Sequence, residues 1–445
     1  MTRPVLSALL SRRSAVIAAG ALVAFPRATV TAATGVVRPE EFGASGDGRS
    51  DDTPALQRCF DAAPRGSTIM LRAGASYRIN PNFRPNYENF GGLKLRDSLT
   101  LQLNDAELRA LPSSYPQGGV LQAWRANNWK IIGPGRIVGE RSIHSGAGGE
   151  AVHGILVLAS SGWTISGNVE VKQCWGDGIY VGSIFQERGT YSQDFDISQV
   201  HVWNCRRNGI SLVGARKGRI RTSHIHDMNG TSPMAGIDLE PDFPEYPNGS
   251  IQIENVRIHD VMFGIAVAAA NNDITIAGSD VTAINTGIVI GDNAHRIAIV
   301  RNPKIASTRG GEEGAAIRNV SKPMTVRDVV ISDNVITGGG IYVIDMRGPG
   351  ISVVANKIRA TNHGVRGAAR MLGGGKFTSN DVLITASSGA ADALFIQLQD
   401  ATYGRNIYRN QSAFRMSALA TGGRYNGGDK YLSSSLFRSP YSSPK

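Results

Sequence analysis

Long amphipathic helical periods are nearly missing from this 445-residue chain, and charged residues make up only 19% of it. A helical bundle and a helix-covered parallel sheet both need such periods, so both are excluded. Cysteine is scarce: Cys59, Cys174 and Cys205 are the three present. They form no CxxC and no Cys/His spacing, which removes thioredoxin-like redox chemistry and finger-type zinc sites. Neither Gly-Lys-Ser/Thr nor GxGxxG occurs, so phosphate-cradling nucleotide motifs are absent. No run of Lys/Arg with interleaved aromatics appears, which argues against nucleic acid as a partner. No apolar run is long enough to span a bilayer.

Glycine, by contrast, is abundant at 53 residues. Six glycines open a Gly-hydrophobic-x-hydrophobic tetrad: Gly154-Ile-Leu-Val, Gly178-Ile-Tyr-Val, Gly209-Ile-Ser-Leu, Gly236-Ile-Asp-Leu, Gly264-Ile-Ala-Val and Gly287-Ile-Val-Ile. Their spacings are 24, 31, 27, 28 and 23 residues. Between them lie further short alternating runs, such as Phe195-Asp-Ile197 and Ile274-Thr-Ile276. A repeat of that length made of short strands indicates a solenoid of two or three strands per turn. The expected fold is all-β, a right-handed parallel β-helix whose coils share one core. Extra residues in the longer repeats must bulge outward, so those loops should wall a groove.

Residues 1–33 read as an export signal: Ser11-Arg-Arg-Ser-Ala-Val precedes a modest apolar run, and Val30-Thr-Ala offers a cleavage point. The paired arginines resemble a twin-arginine signal, with Ala15 where Phe is usual. The expected location is periplasmic or secreted, with no membrane span after signal removal. The formal charge of +11, to which the signal contributes, points to an acidic polysaccharide partner or simply to a basic surface. Cys174 and Cys205 each lie four residues before a tetrad glycine. They should therefore stack about 4.8 Å apart, either as a buried reduced ladder or as a disulfide.

At residues 34–65 a strand and a Gly-rich turn lead into a short helix, Pro54 to Ala63, capped by Asp51, Asp52 or Thr53. It should close the end of the solenoid. The run Phe42-Gly-Ala-Ser-Gly-Asp-Gly-Arg-Ser-Asp-Asp-Thr-Pro-Ala-Leu-Gln57 resembles the opening FGAxGDGxxDDTxAxQ of the pectate-lyase-like (rhamnogalacturonase/epimerase-type) right-handed parallel β-helix superfamily. With its signal, the chain also resembles twin-arginine-exported β-helix repeat proteins. The resemblance covers residues 40 to about 385 and implies a carbohydrate-active protein. Coils are expected over 66–385, a C-terminal coil or cap over 386–423 and a mobile tail over 424–445. The sequence departs from the superfamily's catalytic sets: it lacks Gly-His-Gly and Arg-Ile-Lys of the polygalacturonase type, and Asp-Pro-His-Glu of the mannuronan epimerase type.

Within each tetrad, positions one and three after glycine should point inward and positions two and four outward. The plus-two column reads Leu156, Tyr180, Ser211, Asp238, Ala266 and Val289. One coil thus carries two outward carboxylates, Asp238 and Glu240, about 6.6 Å apart at the backbone. That separation suits the acid/base pair of a glycosidase. The same residues with Asp242 could bind calcium, or be a solvated face. No other cofactor is implied. Asp177, Tyr180, Arg207 and Asn208 are candidates for lining the subsites, with His153 and Arg206 beside them, and the arginines suited to gripping a uronate carboxylate. A further column, His201, His224 and Arg257, runs beside Trp203, His226 and His259. His224 is a candidate substrate ligand, although His-Asp pairs repeating at 226–227 and 259–260 also suit a turn-stabilising ladder, and a histidine ladder could take a transition metal. The expected activity is cleavage of an acidic polysaccharide by hydrolysis or β-elimination. The alternative is a non-catalytic binding or structural protein of the cell envelope.

Overall fold

A computed structural model describes residues 35–432 other than 84–90, 115–116, 147–148, 312–313, 320–323, 362–366, 386–391 and 412–414. The expected export signal therefore lies outside the described residues. Within them the chain winds into a β-helix of three parallel sheets of 15, 15 and 13 strands, each strand paired with its counterpart in the neighbouring coils. One α-helix occurs among the described residues, Thr53–Ala62. It buries Leu56, Cys59 and Phe60 completely against the first coils. Asp52 stands at its N-cap position, but its carboxylate turns back to accept the amides of Ser45 and Gly46. The Gly-rich turn is thereby pinned to the helix start, which is a structural role.

Each sheet contributes an inward column. In the first sheet Ile197, Ile220, Ile253, Ile276 and Ile299 sit directly over one another. In the second the column is Val202, Ile225, Ile258 and Val281. In the third it is Ile155, Ile179, Ile210, Ile237, Ile265 and Ile288. All are fully buried, and each such side chain contributes roughly 1.5–3 kcal/mol of burial. The tetrad glycines stand where the chain enters the third sheet. A Cβ on Gly209 would come within 2.4 Å of Ile225 Cγ2 and 2.6 Å of the Gly236 carbonyl oxygen. Close approach, rather than a left-handed backbone, is what demands glycine there.

Polar ladders hold the corner between the first and second sheets. Arg301, Asp333, Ala355, Ser379 and Arg405 each take a left-handed conformation, with φ of 53°, 59°, 57°, 60° and 60°. The next residue is in every case a buried asparagine: Asn302, Asn334, Asn356, Asn380 or Asn406. Each backbone amide donates to the Oδ1 of the asparagine one coil on, at 2.9 to 3.0 Å, and Asn406 donates to Asp429 at 2.7 Å. An aromatic column, Trp129, Trp163 and Phe195, stacks at 4.9 and 4.7 Å inside the first sheet. It ends on Gly218, where a Cβ would strike the Phe195 ring.

Cys174 and Cys205 are buried free thiols, each facing the carbonyl oxygen two residues back, Lys172 and Trp203. One C-terminal expectation differs. Within the stretch expected to be a mobile tail, Arg424–Tyr425 and Lys430–Tyr431 are paired strands, while 433–445 lie outside the described residues. The reason is that backbone pairing and the asparagine ladder persist there while the apolar alternation that signals a strand fades.

Asn356 donates to the Ile331 carbonyl at 2.8 Å and accepts the Asn334 amide at 3.0 Å. Asn356→Ala leaves both buried groups unpartnered, and is expected to cost about 2–4 kcal/mol. The midpoint of urea unfolding should fall accordingly. An unchanged midpoint would mean that the ladder contributes nothing to stability.

Candidate functional site in a cleft on the third sheet

The plus-two column is in register as the tetrads require: Leu156 pairs with Tyr180, Tyr180 with Ser211, Ser211 with Asp238 and Asp238 with Ala266. These residues point away from the core, yet most are not exposed. Leu156, Leu158 and Ile184 form a second, smaller apolar cluster with Trp124 and Tyr180 packed against it. Two loops, at 183–191 and 240–248, stand over this face. Phe185 and Phe243 meet at 5.1 Å between ring centroids, Arg188 lies over Phe243, and Arg188 pairs with Glu245 at 3.5 Å. The 31- and 28-residue repeats supply both loops, so the excess length does build a wall. Beneath it is a cleft of about 280 Å³ lined by Trp124, His153, Tyr180, Phe185, Arg207 and Asp242, among others.

Behind the cleft runs a second ladder. The Asp177 amide donates to His153 Nδ1 at 3.1 Å, the Asn208 amide to Asp177 Oδ1 at 2.9 Å, and the Ala235 amide to Asn208 Oδ1 at 2.9 Å. His153 Nδ1 therefore carries a lone pair and its Nε2 the proton. Burial and the Arg207 charge push its pKa down to about 3, so it is neutral and makes no ion pair with Asp177. Its ring packs on Tyr180 at 4.7 Å. Burial, with the Asp242 charge, raises the Tyr180 phenol well above its ordinary value. Asp177 and Asn208 are fully enclosed. They were expected to line subsites, but the ladder holds them behind the surface, where they orient other groups.

Arg207 is the hub. Its Nη1 lies 3.3 Å from Asp177, its Nε 3.3 Å from Glu150 and its Nη2 3.5 Å from Glu240. A guanidinium so engaged is not a free fork for a substrate carboxylate. The two carboxylates of the expected pair differ sharply. Asp238 is 3% exposed and accepts Asn208 Nδ2 at 3.0 Å. Burial, then the Glu240 charge, raises its pKa to about 7. Glu240 follows the strand Ala235–Leu239 and is exposed, its amide still donating to the Leu212 carbonyl at 3.0 Å. Neither carboxylate lines the cleft itself; both lie past Arg207. Asp242 faces the other way and accepts the Ser183 hydroxyl at 3.4 Å. The trio Asp238, Glu240 and Asp242 is thus held by three separate partners rather than drawn together around one point.

His224 lies elsewhere. Its strand, His224–His226, belongs to the second sheet. It therefore cannot share a subsite with Asp238 on the third, and the physical reason is the corner between the two sheets. Burial and the neighbouring imidazoles push its pKa down to about 4. Sequence reasoning passed over Glu150, which pairs with Arg207, and the aromatic lining residues Trp124, on the cleft floor, and Phe185, in the loop above it. Trp124 was detectable as the residue paired with Leu158 one coil on.

The profile of the family described as "right handed beta helix region" matches residues 142–303 and 188–391, together more than half of the chain. Among curated proteins, the uncharacterized protein YclG of Bacillus subtilis is 28% identical over 361 residues, covering 73% of this chain and 58% of its own length. The chain thus spans little more than half of that relative. Solved structures that share the fold include the following two. A tailspike protein of E. coli bacteriophage HK620 in complex with pentasaccharide has a TM-score of 0.53 at 12% identity, over 89% of this chain and 80% of its own. The A-module of Azotobacter vinelandii mannuronan C-5 epimerase AlgE6 has a TM-score of 0.50 at 13% identity, over 91% and 100%.

A carboxyl whose pKa is raised in the folded state binds a proton there that the unfolded chain has already released. Stability from Asp238 is thus full below about pH 4 and is lost as pH rises through about 7. Asp238→Asn should remove that loss. In urea unfolding the variant is expected to exceed the native chain by on the order of 2–4 kcal/mol at pH 8 and to match it near pH 4. A difference independent of pH would mean that Asp238 titrates normally.

Proposed function

With the chain a member of the right-handed β-helix family, we propose that it is an exported carbohydrate-active protein that binds a polysaccharide along the third sheet and cleaves it by hydrolysis. The observation that carries this reading is the pairing of a carboxyl protonated near neutrality, Asp238, with an exposed carboxylate two residues on, Glu240, beside an aromatic-floored cleft. Two carboxyl groups whose environments push them apart are what a glycosidase needs: one to protonate the leaving oxygen, the other to assist water or the sugar. Trp124, Tyr180 and Phe185 offer flat apolar faces for sugar rings. Arg207, set among carboxylates, would fix Glu240 and tune Asp238.

The polymer is expected to be acidic on the strength of the +11 formal charge, four arginines of which lie in residues 1–33. Its carboxylates would sit away from Arg207, whose three acidic neighbours leave no positive surplus. Arg207, the arginine lining the cleft, is thus not at hand to neutralise a uronate carboxylate, which supports hydrolysis over β-elimination. The fold offers an analogy only: the tailspike neighbour holds a pentasaccharide, and the other is an epimerase of mannuronan.

One observation favours a second reading, a polysaccharide-binding protein without catalysis: Asp238 is 3% exposed, so substrate must displace part of its cover to reach it.

The assay that separates them measures reducing ends and unsaturated products from a panel of acidic and neutral polysaccharides. New reducing ends that fall about 10²–10⁴-fold in Asp238→Asn and Glu240→Gln, with binding retained, are the expected outcome. Unsaturated products would replace hydrolysis with β-elimination. Binding without turnover, equal in native and variant chains, would establish the second reading.

A further inference from the structure

Four of the chain's eight histidines meet on the outer face of the second sheet, around a corner from the cleft. His201 pairs in register with His224, and His226 with His259, so three successive coils contribute. The rings converge through one kind of atom. His201 Nε2 lies 2.7 Å from His226 Nε2, and His224 Nε2 lies 2.7 Å from His259 Nε2. Nitrogens of His201, His224 and His226 all fall within 4.8 Å of one another; His259 stands outside that trio and touches it at His224.

The other ring nitrogens explain why. His226 Nδ1 is 2.7 Å from Asp227 Oδ2, and His259 Nδ1 is 2.7 Å from Asp260 Oδ2. A carboxylate can only accept, so Nδ1 carries the proton in both rings and Nε2 presents its lone pair. Asp227 and Asp260 reach this position because each follows its strand in a left-handed conformation, with φ of 59° and 52°. A carboxylate oriented behind a histidine in this way is the usual support of a metal-bound imidazole. A simple stacking ladder needs no such convergence of nitrogens, and it gains nothing from fixing the tautomer.

We propose that His201, His224, His226 and His259 form a binding site for one divalent transition-metal ion of the imidazole-preferring class, such as zinc, nickel or copper. Nitrogen donors alone disfavour calcium and magnesium, which take oxygen ligands. Metal–nitrogen bonds of about 2.0–2.1 Å in a tetrahedral array put the nitrogens about 3.3 Å apart. Each facing pair therefore opens by about 0.6 Å as the ion enters, and the His259 ring swings in toward the His201–His224–His226 trio to complete the set. His201 and His224, which supply the Nε2–H in the two contacts now present, shift to the Nδ1–H tautomer to free a lone pair for the ion. The rings are partly exposed, His226 by 15% and His259 by 29% of the side chain, which leaves a path for entry. The bound ion would staple three coils across the second sheet.

The test uses the tag-free full chain, freed of metal with a chelator and titrated with Zn²⁺ by calorimetry and with Co²⁺ by absorption. One Zn²⁺ per chain, ligand-field bands of tetrahedral Co²⁺, a higher unfolding temperature with Zn²⁺ and no response to Ca²⁺ are expected. His224→Gln/His226→Gln should abolish the stoichiometric event. Asp227→Asn, which keeps all four ligands, should weaken it about 10- to 100-fold. The four histidines outside the cluster remain in every variant, so adventitious binding would survive the substitutions. Binding unchanged in a double variant of native circular dichroism would overturn the proposal. So would a native chain that takes up Co²⁺ without ligand-field bands, a result that stands even if the double variant fails to fold.

Discussion

Parallel pairing of coil upon coil is the constraint from which the other features follow. Each strand hydrogen-bonds to its counterpart one turn away, so a residue's neighbours above and below are fixed by register rather than by side-chain preference. Columns result. An inward column must be apolar along its length, and isoleucine recurs at 155, 179, 210, 237, 265 and 288. A corner column must satisfy an amide that turns out of the sheet, which is why asparagine recurs from 302 to 406. In a solenoid such terms add between nearest neighbours, so losing one rung weakens two interfaces and leaves distant coils intact.

The same rule builds the candidate site. His153, Asp177 and Asn208 occupy one corner column and accept one another's successive amides. At the corner between the first and second sheets asparagine does this work from 302 onward; at this other corner, where the chain enters the third sheet, a histidine, an aspartate and an asparagine do it. The aspartate puts a buried carboxyl at Asp177, and Arg207 pairs with it. Once in place, Arg207 draws in Glu150 and Glu240 as well. Asp238 is then the carboxyl without a direct guanidinium contact, and Asn208 is its donor. Its readiness to hold a proton near neutrality comes first from burial and then from the Glu240 charge, which the Arg207 charge offsets only in part.

Much of this was legible in the sequence because glycine spacing encodes register. The column Leu156, Tyr180, Ser211, Asp238 and Ala266 could be written down from the tetrads alone, and it is the column observed. The capping helix was legible from its turn and its apolar face. What spacing does not encode is which way a side chain leans once it leaves the sheet. Asp177 and Asn208 read as groove residues, but their backbone partners pull them beneath it. Asp238 reads as open, but Asn208 and Ser211 close over it. The strands Arg424–Tyr425 and Lys430–Tyr431 lie in a stretch that reads as a tail, because there the pairing is carried by backbone and by the polar ladder rather than by apolar alternation.

The histidines show the same limit from the opposite side. As letters, His201, His224, His226 and His259 look like any repeated column, since register alone predicts rings stacked near the coil spacing. Stacking of that sort is present between His201 and His224, at 5.0 Å and nearly parallel. Yet the hydrogen-bonded contacts run diagonally, from His201 to His226 and from His224 to His259. A diagonal is closed only when the two strands' rings tilt toward each other, and the tilt is set by Asp227 and Asp260 beyond the strand ends. Two aspartates in left-handed turns thus convert a column into a cluster. Because the corner separates it from Arg207 and Asp238, its chemistry is free to vary independently of the cleft's.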